Sequence, residues 1–185
     1  MDIFIYGLVT GSILLICALG FSMTLKTEGF INVAHGQMLM LGAYFTLGLT
    51  YIGLPFIIAA ILSVLLCGLT GLAFQRILFK PIKSNGILVQ LFTSVGLAYL
   101  INGIVGAIAG KRMLSFDIPI SRVVKVGDIY LVTPYEFMIL GIVLATVIFL
   151  HIFLQYTIMG KHIRAVADNQ DLAKIRGINL SLIHI

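Results

Sequence analysis

The chain has 185 residues, of which 60% are hydrophobic and only 10% charged, with a formal net charge of +5. A water-soluble domain carries roughly 25% charged residues, so this composition excludes an ordinary soluble globule and points to a membrane protein. The excess of base does not point to nucleic acid, because the twelve Lys and Arg lie in short connectors and form no stripe; basic connectors of this kind mark the cytoplasmic side of a membrane protein.

The N-terminal MDIFIY has an acid, no Lys or Arg, and no small-x-small cleavage site after it. It therefore reads as the start of a retained helix rather than a signal peptide. A crossing needs about 20 apolar residues. Ile3 to Leu25 is uncharged and long enough. The next uncharged run, Gly29 to Gln75, suits two crossings, with Gly53-Leu54-Pro55 as the break because Pro55 removes a donor and disfavours helix in Leu54. Gly86 to Gly110 and Phe137 to Tyr156 supply a fourth and a fifth. Cys17 and Cys67 fall in apolar runs and read as small hydrophobes, with no disulfide or metal spacing. The pairs Gly7/Gly11 and Gly106/Gly110 suit close helix packing.

Arg76, Lys80 and Lys83 have no acid among them, and Lys161, Arg164, Lys174 and Arg176 form a second basic region. Five crossings put both on the cytoplasmic side and the N-terminus outside; a re-entrant segment within Gly29–Gln75 would move the N-terminus inside. Residues 111–136 form the extracytoplasmic loop. In it, VVKV-GD-IYLV reads either as a hairpin turning at Gly127-Asp128 or as an irregular loop. The fold class is thus all-α, a polytopic transmembrane bundle of about five segments.

Asn32, His35 and Gln37 stand within an uncharged stretch, INVAHGQMLMLGAYF. An unpaired polar group costs several kcal/mol in hydrocarbon. On a helix Asn32 and His35 share a face and line a polar path. Alternatively Gly36 marks a break whose backbone groups bond to Asn32 or His35, or the segment is a wet helix start near Lys26 and Glu28. Other isolated polar residues read as structural: Asn102 bonds a neighbouring helix, and Thr93 and Ser94 bond their own backbone; His151 either lines a cavity or is a packed histidine, the packed reading being favoured. After Thr157, residues Lys161 to Arg176 are rich in helix formers, with Gly177 as a stop. Ile163, Val166 and Ala167 fall together, but Gln170 and Lys174 continue that face, so a lipid-surface helix fits poorly. One helix gripped by protein, a pair broken near Asp168-Asn169, and a solvated connector remain open.

No GxxxxGK[ST] is present, so the chain is not expected to hydrolyse ATP. Ser22 and His35 lack a nucleophile setting, and no catalytic residue, metal set or cofactor is expected.

Two stretches go further. GFINVAHGQMLMLGAY resembles the G-x-IN-[FL]-AHG…GAY pattern of branched-chain amino acid permeases from bacterial ABC importers, and MGKHIRAVADNQDLAKIRGIN resembles the same family's MGR-x-x-RA-x-A-x-N…A…GIN segment. Val33, Leu172 and Arg176 depart from the usual residues without removing the match. The resemblance covers essentially the whole chain and implies a single, partial permease domain over 1–185, truncated, because family members continue into further helices. It implies a bacterial inner-membrane location and four kinds of partner: cytoplasmic ATP-binding subunits, a second permease subunit, a periplasmic substrate-binding protein and the lipid bilayer, with no nucleic acid. It also implies that residues 157–185 are the cytoplasmic coupling segment, with Ala165, Asn169, Ala173 and Gly177 at its patterned positions. Asn32, His35, Gly36 and Gln37 would stand at the translocation path or its supporting turn.

Overall fold

The computed structural model describes residues 2–110, 114–116, 124–126 and 129–177. These form two compact units, one of Met1–Met23 with Ile118–Ile183 and one of Thr24–Asp117 with His184–Ile185. The long helices confirm an all-α, polytopic fold. Among the described residues four helices are long and apolar enough to cross a membrane: Tyr6–Glu28, Phe56–Asn85, Ile87–Ala109 and Pro134–Tyr156. Side chains such as Val64, Leu69 and Phe149 lie open on their flanks, as they do on helices apolar all round and solvated by lipid.

Helix α1 (Asp2–Glu28) runs three residues past the uncharged stretch and takes Lys26 into its last turn, where a cation meets the partial negative charge of the helix end. α2 (His35–Tyr51) has 17 residues. That is about 26 Å of helix, at the lower end of what a crossing takes. It ends at the anticipated Gly53-Leu54-Pro55 break, and Pro55 caps α3 (Phe56–Phe74).

The basic connector after α3 is helical, where the sequence suggested a loop. A wide π turn spans Gln75–Phe79, a single α turn, α4, covers Lys80–Ile82, and a 3-10 turn covers Lys83–Asn85. Pro81 cannot donate back along the helix, and the wide turn ends two residues before it. α5 (Ile87–Ala109) follows, one residue inside each expected end. The core of this unit gathers Phe30, Ala34, Phe79, Leu97, Ala98 and Ile101. The rings of Phe30 and Phe79 meet with centroids 5.5 Å apart.

In the other unit, β1 (Val124–Val126) pairs antiparallel with β2 (Ile129–Val132), joining Val126 to Ile129 and Lys125 to Tyr130. These strands flank Gly127-Asp128, which, with much of the 111–136 loop, lies outside the described residues. α6 (Pro134–Tyr156) begins three residues before the expected Phe137 because Thr133 and Glu136 form a capping box. The Glu136 carboxylate accepts from the Thr133 N–H at 2.6 Å, and the Thr133 hydroxyl accepts from the Glu136 N–H at 3.3 Å.

A sharp corner joins α6 to α7 (Ile158–Asp168). Thr157 is extended there; its hydroxyl accepts from the Gly160 N–H at 2.9 Å and donates to the Phe153 carbonyl at 2.6 Å. A Cβ on Gly160 would lie 2.3 Å from the Phe153 carbonyl oxygen. That is backbone, which cannot swing aside, so only glycine fits the corner. Gly160→Val is expected to destabilise this unit by about 1–3 kcal/mol, read as a lower Tm in detergent; an unchanged Tm would contradict the packing.

Candidate functional site

Two places collect the residues singled out by the sequence. The first is the non-helical turn between α1 and α2. Gly29 opens it with φ +78, a left-handed conformation that favours glycine. Phe30 then turns into the core, 2% exposed. The Asn32 side chain does not share a helix face with His35, because α2 starts only at His35. Its Oδ1 accepts from the Ala34 N–H at 3.1 Å, while its carbonyl accepts from the His35 N–H at 3.2 Å. Asn32 thus closes the turn on its own backbone, as Asn does in tight turns.

A further bond reaches the neighbouring helix. The Val33 N–H donates to Ser94 Oγ of α5 at 3.1 Å, and Ser94 donates onward to the Leu91 carbonyl at 2.7 Å. Ser94 is wholly buried. It bonds its own helix as expected, and so does Thr93, to the Val89 carbonyl at 2.8 Å. Unlike Thr93, Ser94 also holds the turn from 61 residues away. Nothing in the local sequence distinguishes the two.

The remaining members diverge. His35 and Gln37 are half-buried and Gly36 is exposed in the first turn of α2. A Cβ on Gly36 would meet nothing within 4 Å, so no crowding within this chain demands glycine there. Gly36 does not break the helix; the break lies just before it. Nearby, Lys83 acts electrostatically on Glu28 at the end of α1.

The second place is the segment after α6. Asn169 is extended (φ -159, ψ 107) and divides it into α7 and α8 (Gln170–Ile175). Of the open readings, the broken pair is the one formed. α7 taken alone is strongly amphipathic, because the break removes Gln170 and Lys174 from its face. Val166, 1% exposed, anchors it, and Arg164 donates to Gln155 at the end of α6. Asn169 Oδ1 accepts from the Leu172 N–H at 3.0 Å, capping α8.

The four patterned residues are not equivalent. Ala173 is 4% exposed and packs inward. Ala165 is half-buried, while Asn169 and Gly177 are exposed. Gly177 follows α8 at φ +78, in keeping with its expected stop. The large apolar side chains that α8 leaves open are Leu172 and Ile175. Among the described residues no group of three His, Cys, Asp or Glu could hold a metal.

The turn makes a stability prediction. Ser94→Ala removes the buried acceptor of the Val33 N–H and is expected to destabilise the protein by about 1–3 kcal/mol, whereas Thr93→Ala should cost far less. Thermal unfolding of the two purified variants compares them.

Known proteins match this chain along nearly all of its length. The high-affinity branched-chain amino acid transport system permease protein LivH of Salmonella typhimurium is 25% identical over 186 residues, covering 94% of this chain and 60% of that protein. LivH of Escherichia coli K12 is 24% identical with the same coverage. The corresponding BraD protein of Pseudomonas aeruginosa is 23% identical, covering 94% of this chain and 61% of its own length. The chain thus spans about 60% of the length of the curated relatives it matches. No solved structure matches it. Residues 3–185 fit the family described as branched-chain amino acid transport system / permease component, and with apolar helices and a motif-bearing turn in place, the chain belongs to that family.

Proposed function

We propose that the chain is a membrane-embedded permease subunit of an ATP-driven importer for branched-chain or related amino acids, working in the bacterial inner membrane. It performs no covalent chemistry. ATP is hydrolysed by separate cytoplasmic subunits, a second permease completes the pathway, and a periplasmic binding protein delivers cargo. The observation that carries this reading is the α7–Asn169–α8 pair. It lies outside every candidate span yet buries Val166 and Ala173, and it leaves Leu172 and Ile175 exposed. A solvated connector has no reason to hold such a shape. A segment that transmits force from an ATPase must be rigid and must offer an apolar contact.

In this reading the 157–177 pair is the coupling element on the cytoplasmic side. The basic Arg76, Lys80 and Lys83 lie on the same side, and the 111–136 loop lies opposite. Ala173 and Asn169 act by shaping the pair, Ala165 and Gly177 by allowing close approach and a chain reversal. Coupling requires that ATPase binding favour one permease conformation over another. The Asn32–Gln37 region serves as the supporting turn of the pathway: the bonds of Asn32 and Ser94 support that choice over a free polar stripe.

A second cargo class, urea or short amides, fits the same membrane motifs, and competition of labelled leucine uptake by unlabelled leucine and urea separates the two. A self-contained carrier would purify alone, whereas this chain is expected to bring an ATPase with it. Ile175→Asp should abolish that co-purification and transport while the Tm and membrane insertion are kept. Gly177→Pro should stop transport as well, since proline cannot adopt the φ of +78 found there. Normal uptake from both variants would overturn the coupling assignment.

A further inference from the structure

Between α2 and α3 runs an open groove of about 470 Å³, within the range of small-molecule sites. It lies wholly within one unit of the fold. Its walls are mostly carbon, from residues such as Met38, Val64 and Cys67. Two hydroxyls interrupt them. Thr46 and Ser63 line the groove, and each is less than a tenth exposed, at 7% and 5%.

The protons of these hydroxyls are already committed. Ser63 donates to the Ala60 carbonyl at 2.7 Å. Thr46 donates to Ser63 Oγ at 2.7 Å, with the Gly42 carbonyl as an alternative acceptor at 3.0 Å. A hydroxyl has one proton and two lone pairs, so what the pair offers a visitor is acceptor oxygen. An incoming group must donate.

Depth narrows the visitor further. Thr46 lies eleven residues into α2, about 16 Å along its axis. Ser63 lies seven residues into α3, about 10 Å along it. Both hydroxyls therefore stand well inside the roughly 30 Å hydrocarbon core, where transporters hold their cargo.

We infer that this groove is a cargo subsite, in which the Thr46–Ser63 pair accepts hydrogen bonds from the ammonium group of an aliphatic amino acid whose side chain lies along the carbon walls. The inference rests on the importer reading and deepens it. An ammonium supplies donors and no acceptor, which matches the pair; a carboxylate would meet lone pairs and be repelled. Urea also donates, but it has no apolar part to occupy the walls.

Cys67 makes the groove testable, because its thiol lines the same space. The chain has two cysteines, Cys17 and Cys67, so in a Cys17→Ser background a maleimide reports on the groove alone. The experiment uses native membranes expressing the full chain with its partner subunits, and measures both maleimide labelling of Cys67 and uptake of labelled leucine. Leucine is expected to slow the labelling, while 4-methyl-2-oxopentanoate, which has the same side chain but no ammonium, should not. Thr46→Val should raise the leucine concentration for half-protection about tenfold, as for loss of one hydrogen bond to a charged group, and Thr46→Ser should restore it. Membranes that take up leucine while Cys67 labels at the same rate with or without it would overturn the subsite and leave the importer reading standing. The subsite is equally overturned if Cys67 is blocked under all conditions, as it would be beneath a neighbouring helix, or if the keto acid protects as well as leucine. Membranes that neither take up leucine nor show protection would overturn both.

Discussion

Hydrocarbon offers a backbone no hydrogen bonds, and that constraint governs this structure. Within a helix each N–H finds its own carbonyl, so a long apolar helix such as α6 can stand with nearly every flank open to lipid. The cost falls on places where the helix stops. Between α1 and α2 the chain leaves helical geometry for six residues, Gly29 to Ala34, and each bond it makes there has an identifiable partner. Asn32 serves Ala34 from within the turn, and Ser94 serves Val33 from across the unit. Phe30 and Ala34 seal it against α5 and the π turn. The polar side chains in the apolar motif are explained in part by this accounting: Asn32 is there because the backbone needs it.

The segment after α6 lies outside every candidate span and uses different devices. Thr157 and Gly160 make a corner by hydrogen bonding and absence of a Cβ, Asn169 makes a break by capping, and Gly177 ends α8 at positive φ. A few polar or small residues thus shape one short, rigid element. Their pattern in the sequence is a pattern of backbone geometry first. The large apolar side chains left open lie between them, Leu172 and Ile175, one of which departs from the usual family residue.

Much of the fold was legible from the residues. The uncharged runs located every long helix, Gly53-Leu54-Pro55 marked the break between α2 and α3, and Gly177 marked the end of α8. The departures share a cause. The basic residues after α3 suggested a loop, yet Arg76 and Lys80 extend a helix, because charge sets where a chain leaves the membrane and not whether it stays helical. α6 starts at Pro134 since a capping box fixes helix ends by local hydrogen bonding, which hydropathy does not register. The family motifs drew attention to two stretches without showing which of their residues hold the backbone.

By itself the sequence determined that this chain dissolves in lipid, which runs form its long helices, and which two stretches carry the family pattern. Those properties are local, set by side-chain hydropathy and by turn chemistry. Only the tertiary structure decided that Ser94 and not Thr93 holds the turn, that Ala173 faces inward while Ile175 faces out, and that Thr46 and Ser63 meet across two helices. Each of those depends on how a helix is rotated about its axis. Apolar residues all round a helix leave that rotation unmarked in the sequence, and it is fixed by the few polar and small side chains that find one another once the helices pack.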